Sequence, residues 1–342
     1  MNITHLPPIP DDAYAKGVSA PFCGFIGPVA IVAGGANFPD KPLLEGGAKR
    51  VYNDIWAHDG KEWARIGYLP DSVAYGATFP VPEGLVLAGG QVDGKPSDRV
   101  YLLRLGGDPS AALGMTGGEG LGMTRSVAAI DTLPSLPVPM AEAGWTHTAD
   151  RLFLAGNGKV YSCVTGEYEW EFVAEMPEPL VQPVLYAHGS DLYLWGGFNP
   201  ETKDVSPRGW KLSMGQIIEG NNDLPWLPAP EIPDGGTFVG ATGAVMPDGK
   251  LIVVGGVNRE IFARALHNTP EDRIPYLSKA PEEYRFRTAV YVFDGTSWTK
   301  KADIKDCALA GPGVAVDSKG TILVSGGEIK PGVRSPKSFL LK

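Results

Sequence analysis

Near its end the chain reads Gly327-Glu328-Ile329-Lys330-Pro331-Gly332-Val333-Arg334, a carboxylate and a guanidinium on either side of a Pro-Gly turn dipeptide. In a partly apolar site, a carboxylate has its pKa lifted toward neutrality and can remove a proton from a hydroxyl group. An arginine beside it opposes that lift, and its planar fork suits capture of a substrate carboxylate or stabilisation of a developing oxyanion. The same spacing also suits an ion pair that only ties the loop down. Glu328 and Arg334 are therefore candidate catalytic residues, and the elements that carry their loop decide between the two readings.

Those elements repeat. Six segments end an apolar strand in glycine: Ile31–Gly35, Leu85–Gly90, Leu152–Gly158, Leu192–Gly197, Leu251–Gly256 and Ile322–Gly327. Five of them end in Gly-Gly. Around each lies a common grammar of a small-residue strand, a turn, the glycine-ended strand, a variable loop, an aromatic strand, a tight turn and a Trp-containing strand. Ala289–Asp294 followed by Gly295 and Trp298 shows it, as does Val51–Trp56 followed by Asp59-Gly60 and Trp63. A period of roughly 40–60 residues built this way predicts an all-β, six-bladed kelch-type propeller, a single domain over residues 1–342. The last copy lacks its outer strand, and Asn2–Pro7 at the chain start is the candidate to supply it. Both termini in one blade would close the ring and remove a free edge.

In such a blade every loop after a glycine-ended strand opens on the same mouth. This gathers Asn37, Gln91, Asn199, Asn258 and Arg259 with Glu328 and Arg334, the first five as candidate substrate-binding residues. Each Asn or Gln alone also fits a turn residue bonding its own backbone, and Arg259 a solvated charge. Two insertions interrupt the repeat. Gly106–Arg125, rich in Gly and Met, misses the register of a phosphate loop and is read as a flexible blade loop. Asn258–Arg287 carries an amphipathic stretch, Glu260–Leu266, predicted to form one or two helical turns as a wall or lid over the mouth.

Composition narrows the function classes. Hydrophobic residues make up 43% of the 342, enough for a sizeable core. A net charge of −9 without a Lys/Arg block argues against a nucleic-acid partner, and no apolar stretch is long enough for a bilayer-spanning helix. No protein partner is indicated. Cys23, Cys163 and Cys307 form no metal-type pair and are expected as buried free thiols. The N-terminus has no signal-like segment, so the chain is expected in the cytoplasm, or in the periplasm if a leader has been removed.

The stretch Gly327–Arg334 resembles the catalytic signature of the sialic acid mutarotases, or N-acetylneuraminate epimerases, which are six-bladed kelch propellers. Gly255–Asn258 with the insertion behind it, and Glu283–Phe286, are also similar to that family. The blades come in rotated order, and Gly34–Pro42 resembles the corresponding stretch of a cyclically permuted branch. The resemblance implies an isomerase that interconverts the anomers of a small acidic sugar by opening and reclosing its ring. It also implies that Glu328 and Arg334 are needed for activity and that no metal or redox cofactor takes part. Three other classes stay open. One is a kelch interaction module, with aromatics and scattered charges at the mouth. An oxidase on this scaffold would need clustered His and Tyr ligands, yet His5, His58, His147, His188 and His267 fall at unrelated repeat positions. A glycosidase would need two carboxylates, and only Glu328 is well placed by sequence.

Overall fold

The structure, a computed structural model, describes residues 1–106, 127–216 and 225–342. Six four-stranded antiparallel sheets form the blades of a β-propeller. From the channel outward, blade 1 holds Phe22–Ile26, Val29–Ala33, Asp54–His58 and Trp63–Tyr68. Blade 2 holds Ala77–Val81, Gly84–Ala88, Val100–Gly106 and Val127–Leu133, and blade 3 holds Gly144–His147, Arg151–Gly156, Lys159–Val164 and Glu171–Glu175. Blade 4 is Val181–His188, Asp191–Phe198, Gly209–Ser213 and Leu227–Pro228. Blade 5 is Ala241–Val245, Leu251–Gly255, Ala289–Phe293 and Trp298–Asp303. Blade 6 takes Gly313–Val316, Ile322–Ser325 and Ser338–Leu341 from the chain end, and its outer strand, Ile3–His5, from the chain start. The register Ile3↔Leu341, Thr4↔Leu340, His5↔Phe339 closes the ring as the incomplete last repeat required.

The second strand of each blade reads as a continuous apolar run because both of its faces meet a neighbouring blade. Accordingly the core is divided into six apolar clusters, one at each junction between blades. Ile31 and Ile55 of blade 1 pack with Leu85 and Leu103 of blade 2. At the closing junction Ala315 and Leu323 of blade 6 meet Val32 and Trp56 of blade 1. Cys23, Cys163 and Cys307 are buried and free.

The glycine-ended strands turn into the mouth loops. At Gly326 the backbone is left-handed (φ 67°), and a Cβ there would lie 2.2 Å from the Val18 carbonyl oxygen. The loop carrying Glu328 therefore passes too close to its neighbour for any side chain. Blade 3 departs from the pattern. Its Asn157-Gly158 pair has positive φ at both positions and makes a two-residue hairpin, so no loop rises from that blade to the mouth.

The insertion of blade 5 forms two helices, Arg259–Ala265 and Pro270–Leu277, then a 3-10 turn at Pro281–Tyr284. Only the first was expected from its apolar pattern. At the start of the second, Asp272 Oδ2 accepts from Thr269 N (3.0 Å) and Thr269 Oγ1 (2.9 Å), with Pro270 at the first helical position. Beyond Gly106, the Gly106–Arg125 insertion lies outside the described residues. Among the described residues no helix is long and apolar enough to cross a membrane.

Candidate active site

The floor of the site is set by one backbone position that recurs in every blade. Ala20, Tyr75, Glu142, Gln182, Gly240 and Gly311 lie just before or at the start of the innermost strands, and all six are left-handed, with φ between 51° and 70°. Five hydrogen bonds link them from blade to blade. Ala20 N donates to Gly311 O (2.8 Å), Tyr75 N to Ala20 O (3.0 Å) and Glu142 N to Tyr75 O (2.9 Å). Gln182 N donates to Glu142 O (2.8 Å) and Gly311 N to Gly240 O (2.7 Å). All six residues line a cavity of about 500 Å³ at the mouth, a size ordinary for small-molecule sites. Glycine occupies such a conformation freely, whereas a residue such as Tyr, Glu or Gln is strained there by on the order of 1–3 kcal/mol.

Glu328 stands on the cavity wall. The loop of blade 6 folds back at Pro331-Gly332 into a small ladder that sets Glu328 opposite Arg334, and Glu328 exchanges two backbone hydrogen bonds with Ala310 (2.7 and 2.9 Å). Arg334 Nη1 lies 2.6 Å from Glu328 Oε1. The approach is off the N–H axis, leaving this nitrogen without an aligned acceptor. Arg334 Nε donates to the Ala36 carbonyl (3.2 Å), and its guanidinium lies 5.0 Å from the Phe38 ring centre. The Arg334 side chain is 2% exposed and that of Glu328 24%. Arg334 is thus enclosed behind Glu328, and the carboxylate faces the cavity. This placement corrects the expectation that Arg334 clamps a substrate carboxylate directly. Burial raises the Glu328 pKa above the ordinary carboxylate value, Arg334 and Lys49 oppose the rise, and Glu142 adds to it.

The other expected ligand residues divide. Asn258 lines the cavity, but its side-chain oxygen caps the first insertion helix by accepting from Ile261 N (3.1 Å). Gln91 sits at the rim between Lys49 Nζ and Glu142 Oε1, 3.4 Å from each. Asn37 is 1% exposed. Its amide nitrogen donates to the carbonyls of Ala13 and Gly17 (2.8 Å each), and its oxygen accepts from Tyr52 Oη (2.7 Å), so its polar atoms serve the fold. Asn199 accepts from Glu201 N and Thr202 N in its own turn. Arg259 opens into a neighbouring cleft lined by Asp234, Arg285 and Arg287.

Tyr75, Glu142 and Gln182 were missed because they sit before or at the start of the innermost strands and do not follow the glycine-ended ones. Glu142 supplies a second carboxylate, bonded by Gln182 Nε2 at its Oε2 (3.0 Å). Burial raises the Tyr75 phenol above its ordinary value, with Glu328 pushing the same way and Arg334 opposing. Lys49 is exposed at the rim, its ammonium 4.8 Å from the Tyr75 ring centre. The insertion contributes an apolar wall of Ile261, Phe262, Leu266, Tyr276 and Tyr284. Burial, helped by Tyr284 and Glu328, pushes the Tyr276 phenol up to about 12. Lys330 ties this wall to the Glu328 loop by donating to the carbonyls of Leu277 (3.1 Å) and Lys279 (2.7 Å).

These features define a six-bladed propeller with a cavity at its mouth and an ion-paired carboxylate opening into it. The family model for N-acetylneuraminate epimerase matches residues 133–341. The chain belongs to the N-acetylneuraminate epimerase family. The matched region holds blades 3 to 5, the three C-terminal strands of blade 6, the helical insertion and the loop with Glu328 and Arg334. An N-acetylneuraminate epimerase of Brucella suis is 37% identical over 117 residues, 31% of this chain and 30% of that protein. One of Pasteurella multocida is 28% identical over 239 residues, 64% of this chain and 61% of that protein. The chain thus matches less than a third of the Brucella relative's length and under two thirds of the Pasteurella one's. Among solved structures, that of YjhT superposes with a TM-score of 0.63 at 13% identity, covering 97% of this chain and 95% of that one, a likeness of fold.

Proposed function

We propose that this protein is a mutarotase of N-acetylneuraminate or a closely related acidic keto-sugar. The observation that carries the reading is Glu328, a carboxylate raised by burial, open to the cavity on one side and backed by Arg334 on the other. Interconverting the anomers requires two proton transfers coupled to breaking one carbon–oxygen bond and re-forming it on the other face of the carbonyl. The anomeric hydroxyl gives its proton to Glu328, the bond between the anomeric carbon and the ring oxygen breaks as the ketone forms, and the ring oxygen is protonated. Tyr75, a phenol on the cavity that feels the charge of Glu328, is the proposed donor of that second proton. Reclosure on the other face of the ketone reverses the transfers and delivers the other anomer. The uncatalysed exchange is already quick, so a few positioned groups suffice.

Arg334 acts through Glu328. Its enclosed guanidinium fixes the carboxylate and favours the ionised form against the effect of burial. The exposed ammonium of Lys49, whose field reaches Glu328, is a cation available to a sugar carboxylate at the rim. The test is anomer exchange by NMR on a freshly dissolved single anomer of N-acetylneuraminate. A relaxation rate that rises in proportion to protein concentration is expected, and an unchanged rate contradicts the reading.

A further inference from the structure

The six left-handed positions around the channel are alike in backbone and unlike in side chain. Ala20, Gly240 and Gly311 belong to blades 1, 5 and 6 and present only a methyl group or no side chain to the cavity. Tyr75, Glu142 and Gln182 belong to blades 2, 3 and 4 and fill the opposite half. The fold itself accepts glycine at this position, as blades 5 and 6 show. Side chains kept in a strained conformation on one consecutive arc, all lining one cavity, call for a reason outside backbone geometry.

A polar chain supplies one. Lys49 Nζ donates to Gln91 Oε1 (3.4 Å), Gln91 Nε2 to Glu142 Oε1 (3.4 Å) and Gln182 Nε2 to Glu142 Oε2 (3.0 Å). Each Glu142 oxygen is oriented by one amide and keeps a lone pair, so the group is a fixed acceptor for two hydroxyl hydrogens. We propose that Glu142, set by Gln182 and Gln91, is the specificity-determining residue that binds the hydroxyl-bearing part of the sugar and so turns its anomeric centre toward Glu328. A sugar carboxylate is repelled from this arc and directed to the Lys49 end of the same chain. The proposal rests on the mutarotase reading for its ligand, and it assigns Glu142 no proton transfer.

The experiment compares Glu142→Gly and Gln182→Gly with the unaltered protein in thermal melting and in binding of N-acetylneuraminate. A second probe is its analogue with a shortened polyol tail. Glycine relieves the strained backbone, so both variants are expected to melt at or above the parent temperature. Glu142→Gly is expected to bind N-acetylneuraminate roughly tenfold more weakly or worse. Tail shortening is expected to weaken binding to the parent and to leave Glu142→Gly unaffected. Glu142→Gln keeps the shape, loses the charge and is expected to fall between. Parent-like affinity in Glu142→Gly, or melting several degrees lower, overturns the proposal. Sugar binding without accelerated exchange in the unaltered protein contradicts the mutarotase reading and leaves these comparisons valid.

Discussion

Glu328 and Arg334 are paired twice, as facing residues of a two-stranded ladder and as an ion pair with 2.6 Å between Oε1 and Nη1. The ladder fixes the two backbones, so the carboxylate meets the cavity from a rigid base and not from a free loop.

Removing the guanidinium should move the pH dependence of catalysis. Arg334 lowers a Glu328 pKa that burial raises, so Arg334→Gln lets it rise further. The acid limb of the kcat/KM profile is expected to shift to higher pH, and Arg334→Lys, which keeps the charge, is expected to shift it less. An acid limb unmoved in Arg334→Gln contradicts the assignment.

Stability should report the same group. The folded pKa of Glu328 lies above its ordinary 4.5, so the native state favours the protonated form. Its contribution is fully present below the ordinary value and is lost as pH rises through the folded one. In melts from pH 4 to 8, Glu328→Gln is expected to gain on the parent as pH rises. A constant difference across that window contradicts the raised pKa.

The ring closure is open to truncation. Deleting Met1–Pro8 strips the outer strand from blade 6 and leaves Ser338–Leu341 as an unpaired edge. Melting is expected to fall by several degrees or more, roughly the effect of a few kcal/mol in a domain of this size. An unchanged melting temperature contradicts a load-sharing N-terminal strand.

Lys330 joins the insertion to the Glu328 loop through two carbonyls, and Lys330→Met removes both bonds. The expected outcome is a higher KM, by roughly tenfold for charge-assisted bonds of this kind, and faster proteolysis within Asn258–Arg287. Unaltered KM and cleavage would mean that the wall stands without this tie.

Much of this was legible in the sequence. The Gly-Gly endings marked the blades, the missing outer strand of the last repeat pointed to Asn2–Pro7, and the Pro-Gly turn between Glu328 and Arg334 marked the site loop. The spacing could not show that Arg334 is enclosed, because its surroundings, Ala36 and Phe38, come from blade 1. Nor could it show that the Asn37 amide bonds the main chain at Ala13 and Gly17. The arc of Tyr75, Glu142 and Gln182 escaped notice because left-handed backbone at a non-glycine residue has no sequence mark. Its signal lay in comparing the residue just before each innermost strand, where Gly240 and Gly311 occupy the same place.

The central claim is that Glu328 takes the proton of the anomeric hydroxyl. Anomer exchange of N-acetylneuraminate by NMR on Glu328→Gln, with sugar affinity measured on the same sample, tests it most directly. The amide keeps the shape and hydrogen-bonding reach of the carboxylate and cannot hold the proton. The rate enhancement is expected to fall by roughly 10²-fold or more, to near the uncatalysed exchange, with binding largely retained. Full exchange activity in Glu328→Gln would contradict the account.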